Sequence, residues 1–99
     1  MNQNIYNFLK ELQFDDGEIE TLLRAVPVLE ETPFEKAFAN MSAVVSAGYP
    51  AEEIGNLISQ NPAFLCRNTA ELQQNLTKIA ENGDIVEQLN NDPYIIYLL

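Results

Sequence analysis

At 99 residues the chain has room for one small domain, and 46% hydrophobic residues with 9% aromatic exclude wholesale disorder. Five Lys and Arg against fifteen Asp and Glu leave a net charge of −10, which repels phosphate backbones and weighs against unaided nucleic-acid binding. Without His the usual neutral-pH acid–base group and metal ligand are missing, and Cys66 alone cannot form an internal disulfide.

The start, Met1-Asn2-Gln3-Asn4-Ile5-Tyr6, lacks the basic and apolar stretches of a signal peptide. No run reaches the roughly 18 apolar residues of a membrane span, so a cytoplasmic protein is expected. Residues 4–13 predict a helix with Ile5, Phe8, Leu9 and Leu12 on one face, and segment 1–13 would cap whatever follows.

From Phe14 the chain repeats with a shift of 35 residues, Phe14 lying over Tyr49. Glu18/Glu53, Ile19/Ile54, Leu22/Leu57, Pro27/Pro62, Asn40/Asn75 and Gly48/Gly83 are identical pairs. A third, truncated copy places Ile85, Leu89, Pro93 and Ile95 opposite Ile54, Ile58, Pro62 and Phe64. The expected organisation is one domain, 1–99, made of a helix (1–13), two units (14–48 and 49–83) and a partial third (84–99).

Each unit predicts two helices. The first carries Ile19, Leu22, Leu23 and Val26, or Ile54, Leu57 and Ile58, at amphipathic helical spacing. Asp15 with Glu18 has capping-box spacing, and Pro50 replaces Asp15 in the second unit, suiting the first helical turn. Pro27 and Pro62 should end these helices, and short apolar tags follow, Val28-Leu29 and Ala63-Phe64-Leu65. Thr32-Pro33-Phe34-Glu35 and Asn68-Thr69-Ala70-Glu71 then read as caps for the second helices. Phe34, Ala37, Phe38, Met41, Val44 and Val45 form one expected core face; Leu72, Leu76, Ile79 and Ala80 form the other. Gly48 and Gly83 sit where a helix end wants a left-handed residue. Strand signals are absent, and the expected fold is all-α, a short α-solenoid.

The run Gly48-Tyr49-Pro50-Ala51-Glu52-Glu53-Ile54, then Leu57-Ile58, Asn61-Pro62 and Phe64-Leu65, resembles the mitochondrial transcription termination factor repeat. The resemblance spans residues 14–96 and implies stacked two-helix units in a curved solenoid. Members of that family hold nucleic acid, without catalysis, on a basic concave face. This chain departs from them: Arg24, Lys36, Arg67 and Lys78 are the only bases within the units, outnumbered by acids.

The paired acids Asp15-Asp16, Glu30-Glu31 and Glu52-Glu53 read as solvated or capping groups, because helical neighbours point in different directions. Cys66 precedes Arg67 but has no His to activate it, so an inert thiol is expected. Asn40 and Asn75 fall at one phase of the repeat and are expected to hydrogen-bond neighbouring units. The apolar stretch 92–99 either seals the stack or docks a partner, and sealing is favoured. With no nucleophile–base or phosphate-cradling set, no enzyme activity, cofactor or metal is expected.

The leading expectation is a non-catalytic acidic module that binds a basic protein partner, since complementary charge speeds encounter and fixes register. Glu18, Glu20, Glu52, Glu53, Tyr94, Tyr97, Leu98 and Leu99 are the candidate contacts. A sharper version is an inhibitor that sets carboxylates into the phosphate groove of a nucleic-acid enzyme. Two alternatives remain open: a nucleic-acid-binding protein of the termination-factor type, and a homo-oligomer assembled through its apolar C-terminal edge.

Overall fold

Helices account for all the regular structure in the computed structural model, which describes residues 3–92 and 95. In chain order they are α1 (Gln3–Glu11), α2 (Asp16–Ala25), α3 (Phe34–Ser46), α4 (Ile54–Gln60), α5 (Thr69–Glu81) and α6 (Ile85–Asn91). Three 310 turns, Pro27–Glu31, Ala51–Glu53 and Pro62–Cys66, lie between them. No strand occurs among the described residues. The turns opening at Pro27 and Pro62 lie 35 residues apart, as do α3 and α5 at both of their ends.

Local chemistry explains most boundaries. The Glu18 amide donates to the Asp15 carboxylate (2.8 Å), and the Asp15 amide donates to Glu18 Oε1 (2.9 Å), closing the capping box of α2. That helix ends at Ala25, with Val26 as its C-cap and Pro27 immediately beyond. Asn68 caps α5 by accepting from the Glu71 amide at 3.1 Å, and Asp84 caps α6 through the Val86 amide at 2.8 Å. Gly48 (φ 122°) and Gly83 (φ 142°) leave α3 and α5 in the conformation that glycine tolerates best.

Three expectations need correction. Thr32 does not cap α3: Pro33 occupies that position without a side-chain bond, and the buried Thr32 hydroxyl donates to Val28 O and Cys66 Sγ, each at 3.2 Å. Pro50 does not open a regular helix either. Having lost the acceptor that Asp15 supplies to α2, the second unit tightens into the 310 turn Ala51–Glu53 before α4 begins. Finally, Phe38 is 50% exposed and Ala80 is exposed, although both belonged to the expected core. The physical reason is a buried asparagine on each helix, Asn40 for Phe38 and Asn75 for Ala80. With about 100° of rotation per residue, turning positions 37, 40 and 44 inward turns Phe38 outward.

The core runs the length of a body 39 × 22 × 20 Å. Ile5, Phe8 and Leu9 of α1 close one end; Ile85 and Leu89 of α6 lie toward the other. Between them Leu29, Phe64 and Leu65 of the 310 turns meet Ile19, Ile54, Leu57 and Ile58 from the first helices and Ala37, Val44, Leu72 and Ile79 from the second. The central element is α3, packed against α1, α5 and the turn Pro62–Cys66. Asn40 joins it to that turn: its Nδ2 donates to the carbonyls of Phe64 (2.9 Å), Leu65 (3.1 Å) and Arg67 (2.9 Å). Its Oδ1 accepts from the Thr69 hydroxyl at 2.6 Å. Asn75, at the corresponding place in α5, is buried too.

Candidate functional site

Charge is distributed by element rather than by half of the chain. Residues 14–33 hold six acids and one base, all exposed: Asp15, Asp16, Glu18, Glu20, Glu30 and Glu31, with Arg24. In α3 Glu35 and Lys36 cancel, and α5 carries Glu71, Glu81 and Lys78. The molecule therefore has an acidic side, α2 with the turn after it, and a nearly neutral one, α3 with α5.

Not every acid on the acidic side is free to meet a partner. Asp15 and Glu18 are committed to each other through the capping box. Lys10 Nζ lies 2.8 Å from Asp16, which also accepts a hydrogen bond from the Tyr6 hydroxyl. The Lys10 hydrogen bond, then that of Tyr6, holds the Asp16 carboxyl below the usual carboxylate range. Glu20, Glu30 and Glu31 carry no ion pair among the described residues, and Val28, 54% exposed, sits in the same turn as Glu30 and Glu31.

Of the expected contact residues, Glu18 and Glu20 lie on α2, and Glu52 and Glu53 in the 310 turn before α4, all exposed. Glu53 also acts on Tyr49, whose hydroxyl is pushed above its ordinary value by burial and then by that charge. That hydroxyl donates to Asn90 of α6 at 3.2 Å. Tyr94, Tyr97, Leu98 and Leu99 lie outside the described residues, as does most of the stretch whose sealing role was expected. Among the described residues no three acidic or sulfur side chains gather into a metal-binding group. No described helix is long and apolar enough to cross a membrane.

Cys66 is half-buried, and burial pushes its thiol up, against smaller opposing effects of the Thr32 hydrogen bond and the Lys36 charge. A protonated thiol is a poor nucleophile. Alkylation at pH 7 should run at least about tenfold slower than for an unhindered small thiol, and accelerate once the chain is unfolded. Reaction of the folded protein at the free-thiol rate would contradict this placement.

The neutral side holds a feature the sequence did not announce. An open groove of about 720 Å³ runs between α3 and α5, lined by Ala39, Ser42, Ala43 and Ala47 on one wall and Thr77 and Ala80 on the other. Glu81 is the one charged residue lining it. Phe38 stands at its edge, stacked on Phe34 at 6.1 Å with an interplanar angle of 13°. Phe34 in turn meets Phe8 edge-on at 5.6 Å. Small residues recurring at positions 39, 42, 43 and 46 were the available signal, masked by counting Phe38 as core. A smaller hollow, about 310 Å³, separates the end of α2 from Ser59–Ala63.

Comparison with known proteins finds no family model, no curated protein and no solved structure that this chain matches.

Proposed function

We propose that the chain is a short α-solenoid of two 35-residue units that binds a basic protein and catalyses no reaction. The observation that carries this reading is the run 14–33, six exposed acids to one base, of which Glu20, Glu30 and Glu31 are held neither by the capping box nor by Lys10. Such a surface attracts a basic partner at long range and orients it on arrival. The solenoid part rests on the elements that recur 35 residues apart, and on Asn40 reaching from α3 into the turn before α5. It also agrees with the resemblance to the termination-factor repeat, whose nucleic-acid role fits poorly with a net charge of −10. A cytoplasmic partner that itself handles nucleic acid, its phosphate groove filled by carboxylates, is the sharpest form of the proposal.

The test is capture of partners by tagged protein from its host's lysate, with and without nuclease, beside the triple variant Glu20→Gln, Glu30→Gln, Glu31→Gln. A basic protein should survive nuclease treatment and fall at least about tenfold with the variant. A catch that vanishes with nuclease would favour nucleic-acid binding instead, and an equal catch by the variant would remove the acidic face from the account.

A further inference from the structure

The neutral face asks for a different occupant from the acidic one. We infer that the α3–α5 groove is the interface of a symmetric dimer, its occupant the exposed Phe38 of a second copy of this chain.

Three observations point there. First, the face carries both halves of a self-complementary contact: a half-exposed aromatic ring and, on the same two helices, an open groove of about 720 Å³ walled mainly by alanine, serine and threonine, with Gln73 and Leu76 on the α5 wall. A two-fold interface needs both on one patch, so that each ring enters the other copy's groove. Second, Phe38 is already placed. Its stack on Phe34, and the edge-on contact of Phe34 with Phe8, hold the ring at the rim, so little side-chain freedom is lost on docking. Third, charge selects the occupant. Two molecules of net charge −10 repel each other over most approaches, and 14–33 cannot face its own copy. Across α3 and α5 three acids meet two bases, with only Glu81 lining the groove, so copies can approach here without setting acid against acid. A basic partner gains little from this face and much from the acids of α2 and the turn after it. Each helix is 13 residues long, about 20 Å, enough for two pairs of helices to lie across one another.

This inference is independent of the basic partner, and salt separates the two. Screening weakens attraction between the acidic side and a basic protein, but weakens repulsion between two copies of this chain. Sedimentation equilibrium of the full chain at low and high salt is the experiment, with Phe38→Glu and Ala80→Arg as variants. Ala80 is exposed, so Ala80→Arg fills the groove without disturbing the core.

The wild type should sediment at twice 11.2 kDa at tens of micromolar (on the order of the affinity of a small interface), and more completely at high salt. Each variant should weaken dimerisation at least about 30-fold, since the two-fold axis introduces every change twice. Both should keep the wild-type helical circular dichroism. A wild type that stays monomeric up to about 1 mM would overturn the inference. So would a dimer that either variant leaves intact, as association through another surface predicts.

Discussion

Asn40→Asp should cost about 4 kcal/mol or more of folding stability at pH 7, and Asn40→Ala about 2–4 kcal/mol. The side chain is fully buried and spends both amide hydrogens on three main-chain carbonyls, those of Phe64, Leu65 and Arg67. Alanine leaves acceptors in the turn Pro62–Cys66 and its flank without their donor. Aspartate is worse, because a carboxylate has no hydrogen to give and faces three carbonyl oxygens, with only the Thr69 hydroxyl still matched. The two variants also separate by pH. A carboxyl in that setting has its folded pKa raised above the ordinary value, so its penalty is smallest below the unfolded pKa. The penalty grows as pH rises toward the folded pKa. Denaturant unfolding near pH 4 should therefore narrow or reverse the gap between the aspartate and alanine variants. Equal stability of wild type and Asn40→Ala at pH 7 would mean that the latch is not holding the turn.

Phe64→Ala should be the second severe change, about 3–5 kcal/mol, from lost burial and the cavity left behind. Phe64 is fully buried in the 310 turn, at the meeting of the first and second helices. For a chain of this size that is a fall of more than about 12 °C in melting temperature. Phe38→Ala removes the same kind of side chain from a half-exposed site and should cost no more than about 1 kcal/mol, measured at a dilution where the chain is monomeric. A larger loss at Phe38 than at Phe64 would mean that the core has been placed on the wrong face of α3.

That contrast also marks where sequence reading worked and where it stopped. Capping at Asp15 and Glu18, helix stops at Pro27 and Pro62, and left-handed ends at Gly48 and Gly83 all depend on a few adjacent residues, so they were legible. The rotation of α3 was not. Repeat phase marks Asn40 as a hydrogen-bonding residue, and it does bond the turn 24 to 27 residues away, but hydrophobic periodicity still places Phe38 inside. Only the folded chain shows that a polar residue belongs at the centre. Thr32 was misread for the same reason: its partner Cys66 is 34 residues distant.

Gln13 gave no warning either; it takes φ 73° beyond the end of α1, where Gly or Asn would be the usual signal. There the Phe14 amide donates back to Leu9 O at 3.2 Å, closing the helix in spite of the residue type. As for the site, exposed acids at Glu18, Glu20, Glu52 and Glu53 were foreseeable from their phase. The capping-box spacing that made this helix start legible also commits Glu18 to Asp15, which shifts weight to Glu20, Glu30 and Glu31. The groove beside Phe38 escaped notice because its walls are small residues that periodicity alone treats as filler.

The proposed function seats a basic protein on the exposed acids of α2 and the turn after it. The most direct measurement is the dissociation constant for the captured partner across a salt series, for wild type and the Glu20, Glu30, Glu31 glutamine variant. Wild-type binding should weaken steeply with salt, the variant should start weaker and fall less, and the two should converge at high salt. Binding that is indifferent to salt and identical in the two proteins would contradict the claim.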